Sequence, residues 1–119
     1  MKKTLVFGAS LKPDRYSYVA VKRLLANDIE TEAFGLKEGN IDSVAIKTTV
    51  NGINDIHTLT LYIGPERQIS YYDTILAISP KRVIFNPGTE NPELYDLLEK
   101  EGIEVEVACT LVLLGTGQY

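Results

Sequence analysis

Short apolar segments alternate with amphipathic segments along the chain. Residues 5–7, 59–63 and 83–85 are apolar, β-favouring runs, as expected of parallel strands whose two faces are both covered. Residues 29–34 and 103–107 alternate between apolar and polar side chains, which predicts strands with one face less fully buried. Strands are therefore predicted along the whole length of the sequence.

Amphipathic helices are predicted between these strands. The first helix is expected to begin between Asp14 and Ser17 and to end near residues 27–28, where its apolar spacing fails. A second helix is predicted to begin at Pro65, because proline suits the first helical position. The buried stripe of this second helix is predicted to consist of Ile69, Tyr72, Ile75, Leu76 and Ile78.

Helix signals recur near the C-terminus. Asn91 and Pro92 are typical of a helix cap and a first helical position, and Gly102 lies where that helix should end. Residues 109–114 are predicted to form a short closing helix, although a strand also fits their composition.

The segment between residues 34 and 59 has the weakest pattern. Residues 44–46 fit a short strand, residues 38–40 are expected to be loop, and residues 50–55 are rich in turn-forming side chains.

Alternating strands and helices predict an α/β fold of one domain spanning residues 1–119. The expected architecture has three layers and is doubly wound, with a mainly parallel sheet of about five strands and helices on both faces. Ligands of such sheets bind beyond the carboxyl ends of the strands.

The loop after the first strand has the strongest chemical signal. Gly8 permits a sharp turn and a close approach of a ligand to the backbone. Counted from Gly8, a dinucleotide-binding fingerprint would place its later glycines at Ser10 and Pro13, so the match is partial. Ser10, Lys12 and Arg15 could reach a phosphate, and a solvated surface turn is the alternative interpretation.

The end of the second strand favours a phosphorylated ligand. In nicotinamide-binding folds an acidic residue about 20 residues past the glycines holds the ribose hydroxyls. Here the strand ends in Gly35-Leu36-Lys37, and a lysine suits a phosphorylated ribose better than a bare diol. A solvated loop lysine is equally consistent with the sequence.

Composition and charge exclude several classes of protein. The 119 residues are 45% hydrophobic and 24% charged, as in an ordinary globular domain. No apolar run approaches the roughly 20 residues of a membrane span, and the N-terminal apolar run is too brief for a signal peptide. One cysteine excludes an internal disulfide and agrees with a cytoplasmic protein.

Charge is distributed unevenly. Residues 1–37 carry seven Lys or Arg and four Asp or Glu, whereas the rest carry five and twelve, and the net charge is −4. This balance argues against a nucleic-acid partner, and the basic N-terminal third suits a small anionic ligand.

Candidate catalytic residues are sparse. His57, the only histidine, begins an apolar strand and is expected at the edge opposite the ligand. Cys109 is interpreted as a core thiol, and no metal cluster is indicated. Glu104 and Glu106 share one side of a strand, but nothing else marks them as an acid–base pair.

Taken together, these residues resemble a small stand-alone CoA-binding domain. This Rossmann-like module also occurs in succinyl-CoA synthetase α-subunits and in acyl-CoA synthetases. The resemblance covers nearly the whole chain and is carried by residues 6–10, 15–17, 64–66, 86–88 and 109–111. The synthetases have further domains with a catalytic histidine, for which this chain is too short, so the resemblance implies binding and not ligase chemistry.

The resemblance also implies positions for the ligand. CoA would be held by its 3′-phospho-ADP end, with Gly8, Ala9 and Ser10 at the diphosphate and Lys12 and Arg15 adding charge.

The other implied contacts follow the neighbouring strand ends. Leu36 and Lys37 would lie near the adenosine and its 3′-phosphate, and Tyr16 joins the implied cofactor-binding residues. The adenine or pantetheine path and the adjacent rim would be lined by Gly64, Pro65, Pro87 and Gly88.

The sequence thus leads to one main hypothesis and two alternatives. The main hypothesis is a non-catalytic protein that binds CoA or an acyl-CoA, without a membrane or nucleic-acid partner and compatible with a homo-oligomer or a protein partner. The alternatives are an NAD(P)-dependent oxidoreductase or its cofactor domain, and a protein-interaction module with an empty rim.

Overall fold

In the computed structural model, which describes residues 2–119, seven strands form one sheet. The strands are β1 (Thr4–Ala9), β2 (Thr31–Gly35), β3 (Gly39–Ile41), β4 (Val44–Lys47), β5 (Thr58–Leu61), β6 (Arg82–Phe85) and β7 (Glu104–Val107). The helices are α1 (Tyr16–Ala26), α2 (Pro65–Gln68), α3 (Tyr72–Ile78), α4 (Pro92–Lys100) and α5 (Thr110–Gly115), with a turn of 3-10 helix at Ile69–Tyr71.

The sheet has the order β3-β4-β2-β1-β5-β6-β7, and only β3 is antiparallel to its neighbour among the described strands. From β1 the chain moves outward to β2 and β4, returns to β5, and then moves the other way to β7. The point at which the order reverses lies between β1 and β5, where doubly wound folds bind ligands. The structure confirms the predicted α/β fold, with seven strands instead of about five.

One additional strand corrects the predicted loop at residues 38–40. Gly39 and Asn40 belong to β3, which pairs with Ile46 and Ala45 of β4. The hairpin turns at Asp42, which has a positive φ of 51°. Three residues without apolar alternation gave no strand signal, because this strand is specified by pairing and not by periodicity.

Two apolar clusters occupy the two faces of the sheet. Leu5 and Phe7 of β1 point to the cluster completed by Ile75 of α3 and by Leu94 and Leu98 of α4. Val6 and, after the irregularity between Phe7 and Ala9, Ala9 point to the other face. The cluster there includes Val21 and Leu24 of α1, and half-buried Leu114 packs against it. Helices therefore cover both faces, as predicted, with α3 and α4 on one and α1 and α5 on the other.

The predicted helix after β5 is broken, and its predicted buried stripe is partly wrong. Ile69 is 61% exposed, whereas the preceding Gln68 is fully buried. The 3-10 turn between α2 and α3 has about three residues per turn, so it changes which side chains face the core. Ile75 is fully buried, and the half-buried members of the stripe are Tyr72, Leu76 and Ile78.

The other predicted helix boundaries are close to the observed ones. Helix α1 begins at Tyr16, and α4 begins at Pro92 behind Asn91, whose side chain accepts a hydrogen bond from the Leu94 amide at 3.4 Å. Gly102 follows α4 with a φ of 74°. None of the helices within residues 2–119 has the length and apolar character needed to cross a bilayer.

Glu32 of β2 forms ion pairs toward both neighbouring strands, with Lys3 just before β1 and with Lys47 of β4. Its carboxylate accepts from Lys47 at 2.9 Å and lies 3.1 Å from the ammonium of Lys3. Partial burial raises the pKa of Glu32, but the hydrogen bonds and charges of Lys47 and Lys3 outweigh burial and leave that pKa below its ordinary value. The ionised carboxylate therefore stabilises the folded state.

We predict that Glu32→Gln lowers the free energy of unfolding by about 1 kcal/mol at pH 7. Because the folded-state pKa is depressed, this contribution is present above the ordinary pKa of 4.5 and is lost as pH falls through the lower folded value. Urea unfolding of both proteins from pH 7 to pH 3 should show the difference shrinking. Glu30→Gln is the control, since the Glu30 side chain is 62% exposed; a difference for Glu32→Gln that stays constant with pH would contradict the prediction.

Candidate functional site

The end of β1 passes unusually close to the end of β5. Gly8 has a φ of 101°, and a Cβ at this position would lie 2.8 Å from Cγ2 of Ile63 and 3.2 Å from the carbonyl carbon of Tyr62. Both the backbone conformation and the contact therefore require glycine. The turn after β1 is consequently fixed against β5.

A second glycine allows β1 to approach β2. A Cβ at Gly35 would lie 2.3 Å from the carbonyl oxygen of Ala9, which is shorter than any real contact of this kind. The register between β1 and β2 also shifts between Phe7 and Ala9. The carboxyl ends of β2, β1 and β5 are thus brought together at backbone distance.

The loop from Ser10 to Arg15 folds back on itself. The Lys12 amide donates to Oγ of Ser10 at 3.1 Å, and the Arg15 amide donates to the Lys12 carbonyl at 3.0 Å. Leu11 packs against Gly39 of β3, where a Cβ would lie 2.6 Å from a Leu11 methyl carbon. The loop is therefore held by its own hydrogen bonds and by β3, while the Lys12 and Arg15 side chains stay exposed.

A cavity of about 560 Å³ lies at these strand ends. It is bounded by the carboxyl ends of β1, β2, β5 and β6. The predicted site residues that line it are Gly8, Ala9, Ser10, Lys12, Arg15, Tyr16, Leu36, Lys37, Gly64, Pro87 and Gly88. Pro65, the first residue of α2, is exposed to solvent and does not line the cavity.

Sequence reasoning missed the aromatic wall of this cavity. Phe7 and Phe34 stack with ring centroids 4.7 Å apart, and Tyr71 meets them edge-on at 5.4 and 5.8 Å. All three residues are among those that line the cavity. Tyr71 thus packs against two aromatic residues that belong to the cavity lining themselves. A signal for Phe34 existed, since it immediately precedes the glycine that ends β2.

Sequence reasoning also missed Arg67. It lies in α2, beyond the end of β5, and its side chain lines the cavity. No motif surrounds it, so only the fold brings it to the loop that follows β1. The further lining residues outside the predicted set are Leu11, Ser17, Gly35, Tyr62, Ile63 and Thr89.

The lining of the cavity is cationic. It includes Lys12, Arg15, Lys37 and Arg67, and within residues 2–119 it contains no aspartate or glutamate. The ion pairs within residues 2–119 involve other cations, so these four have no carboxylate partner in that part of the chain. Burial raises the pKa of Tyr62 to about 12, so this lining phenol is neutral at physiological pH.

Buried hydrogen bonds fix the β6 side of the rim. Asn86, which follows β6, donates to Oγ1 of Thr60 at 2.7 Å and to the Leu61 carbonyl at 2.9 Å. Its side-chain oxygen accepts from the Thr110 amide at 2.9 Å. Asn86 therefore ties the ends of β5 and β6 to the start of α5, immediately before the turn at Pro87 and Gly88.

The other candidate chemical groups lie away from the cavity. Nδ1 of His57 lies 2.7 Å from Oγ1 of Thr58, and burial together with the Arg82 charge lowers the His57 pKa. Cys109 is partly buried before α5, and Glu106 forms an ion pair with Arg82 at 3.1 Å. Neither these groups nor Glu104 line the cavity. In the part of the chain that the structure describes, no three His, Cys, Asp or Glu residues are grouped to hold a metal.

Comparisons with known proteins match this architecture. A family model described as a CoA binding domain matches residues 2–115. No curated protein sequence matches the chain. One crystal structure, of a protein described as uncharacterized, is 45% identical with a TM-score of 0.96, over 100% of this chain and 98% of its own.

Two further solved structures are similar to this chain. A hypothetical protein from Pyrococcus horikoshii OT3 is 25% identical with a TM-score of 0.82, over 93% of this chain and 80% of its own. A Thermus thermophilus protein, cell-free ID.343, is 19% identical with a TM-score of 0.86, over 99% of this chain and 91% of its own. At that identity the likeness shows the fold alone.

The approach of Gly35 to Ala9 predicts a specific sensitivity. Gly35→Ala should lower the free energy of unfolding by roughly 2–3 kcal/mol, because a rigid backbone oxygen must move to admit the methyl group. Gly115→Ala is the matched control, since a Cβ there meets no atom within 4 Å, and it should change stability by less than about 0.5 kcal/mol. Urea unfolding measures both variants, and equal stabilities would contradict the role given to Gly35.

Proposed function

The chain belongs to the CoA-binding domain family, and from this membership we propose that it binds coenzyme A or an acyl-CoA at the cavity. The ligand is held through its 3′-phospho-ADP moiety at the carboxyl ends of the parallel strands. The protein acts as a binding module without catalysing a reaction on the ligand.

The main observation that supports this function is the positive charge of the cavity lining. Lys12, Arg15, Lys37 and Arg67 line it without an acidic neighbour in the described lining. CoA carries a diphosphate and a separate 3′-phosphate, and guanidinium and ammonium groups form strong charge-assisted hydrogen bonds with phosphate. A chain with a net charge of −4 thus keeps a local cationic surface that suits a multiply anionic ligand.

The diphosphate lies at Gly8, Ala9 and Ser10. The loop is followed by α1, an 11-residue helix with no acidic residue in its first turn and no side-chain hydrogen bond at its cap. The first backbone N–H groups of a helix attract anions when no side chain satisfies them. Lys12 and Arg15, which belong to the same loop, add two positive charges.

The adenosine and its 3′-phosphate lie at the end of β2. Leu36 and Tyr16 line the cavity although they are 73% and 74% exposed, so they offer apolar surface to a base. Lys37 stands where nicotinamide-binding folds place an acidic residue for the ribose hydroxyls, and its charge suits a phosphate there. The pantetheine arm then lies along Gly64, Pro87 and Gly88, and Pro65 makes no contact with it.

A binding role is also supported by the side chains that line the cavity. Within residues 2–119 they include no histidine, cysteine or carboxylate. An NAD(P)-dependent oxidoreductase is the alternative function, and Lys37 would suit the ribose phosphate of NADP as well. Binding measurements with NADP therefore separate the two functions.

We predict that Lys12→Ala combined with Arg15→Ala weakens CoA binding at least about tenfold, because two charge-assisted contacts are lost. Isothermal titration calorimetry measures the affinity, with Lys100→Ala as the control because this exposed lysine lies on α4, outside the cavity lining. An unchanged affinity of the double variant would refute the placement of the diphosphate.

Lys37→Ala should act selectively on one phosphate. We expect it to weaken CoA about tenfold and to leave dephospho-CoA nearly unchanged, since only the 3′-phosphate differs between the two ligands. Titration of both ligands into both proteins measures the coupling between Lys37 and that phosphate. An equal loss of affinity for the two ligands would show that Lys37 does not interact with the 3′-phosphate.

A further inference from the structure

Gln68 connects two loops that line the cavity, although it does not line the cavity itself. Its side chain is fully buried. Nε2 donates to the carbonyl of Ile63, after β5, at 2.8 Å and to the carbonyl of Thr89, after β6, at 2.8 Å. Both donor hydrogens of the amide are therefore used to bridge the β5 and β6 halves of the rim.

The opposite side of the amide is fixed as well. Oε1 of Gln68 accepts from Nδ2 of Asn91 at 2.8 Å, and Nδ2 also donates to the Tyr72 hydroxyl at 2.8 Å. The Tyr72 hydroxyl in turn donates to Glu93 at 2.9 Å. Since Asn91 also caps α4, the orientation of the Gln68 amide is set by α3 and α4.

We propose that Gln68 is a positioning residue for the cavity, which holds the β5 and β6 loops at the separation that ligand binding requires. This role rests on the proposed function, because the ligand is CoA. Gln68 acts through Ile63 and Thr89, both of which line the cavity. The backbone of Gln68 is held as well, because its amide, like that of Arg67, donates to the Gly64 carbonyl at 3.1 Å.

The chemistry of the site explains why an amide is needed there. A buried carbonyl that loses its donor costs free energy, and it can regain hydrogen bonds by turning toward water. Without Gln68, the carbonyls of Ile63 and Thr89 would each gain from moving into the cavity. An apolar side chain of the same size would fill the space but would not hold the two loops together.

Two variants test this role. Gln68→Glu keeps the size but replaces the donor by a carboxyl oxygen facing two carbonyls. Asn91→Asp keeps an acceptor for the α4 cap and removes the donor that orients Gln68. This second variant therefore tests the same bridge if Gln68→Glu does not fold. Ile75→Val is the control, because Ile75 is buried in α3 without lining the cavity.

Two quantities are measured for every variant, at a temperature below its unfolding transition. The first is the dissociation constant for CoA, which we expect to rise at least about tenfold in Gln68→Glu and to stay unchanged in Ile75→Val. The second is amide hydrogen exchange, which we expect to accelerate at residues 63–68 and 87–91 together and not in the loop at residues 10–15.

The outcomes are distinct. Weaker CoA binding with faster exchange in both loops supports the positioning role. Unchanged affinity and unchanged exchange, with only a lower melting temperature, overturn it and leave Gln68 as a stabilising residue. If the wild-type protein binds no CoA, the proposed function fails, and the exchange of the two loops alone decides whether Gln68 holds them.

Discussion

The close approach of three strand ends at two glycines is the constraint on which the candidate site depends. A side chain at Gly35 would collide with the backbone of Ala9, and one at Gly8 would collide with Ile63. Because both positions lack a Cβ, the loops after β1, β2 and β5 begin from nearly the same place. The residues that follow each strand can then surround one cavity instead of separate surface turns.

The two halves of the cavity are held by different physical means. On the β1 and β2 side, close backbone contact and a small hydrogen-bonded loop set the geometry. On the β5 and β6 side, buried amides do so, with Asn86 tied to Thr60 and Thr110 and with Gln68 tied to Ile63. The ion pairs within residues 2–119 involve Lys3, Lys22, Lys47 and Arg82, and none of them includes one of the four cations that line the cavity.

Periodicity and turn chemistry predicted much of this fold from sequence. The apolar runs of β1, β5 and β6 and the cap at Asn91 are local signals, and each led to the correct element. The strand β3 and the exposure of Ile69 were not predictable in this way, since pairing with β4 and the 3-10 turn before α3 decide them. Neither strand pairing nor a break in helical periodicity can be read from local apolar spacing.

The residues of the candidate site also fall into two groups, those predictable from local sequence and those that only the fold brings together. The loop after β1 and the end of β2 contain glycines and cations in sequence, so their residues could be named in advance. Arg67 and Tyr71 come from the broken helix after β5, and Gln68 is polar where helical periodicity expects no buried amide. Only the fold brings Arg67 and Tyr71 to the cavity and places Gln68 between two of its loops, because all three are far from Gly8 in sequence and carry no motif.

Thermal unfolding with added ligand tests the central claim most directly. CoA at about 100 times its dissociation constant should add roughly 2.7 kcal/mol to the free energy of unfolding and raise the midpoint by about 10 °C. Dephospho-CoA at the same concentration should give a smaller rise, and NAD and NADP should give little. A rise with NAD or NADP and none with CoA would contradict the CoA site and favour the oxidoreductase alternative.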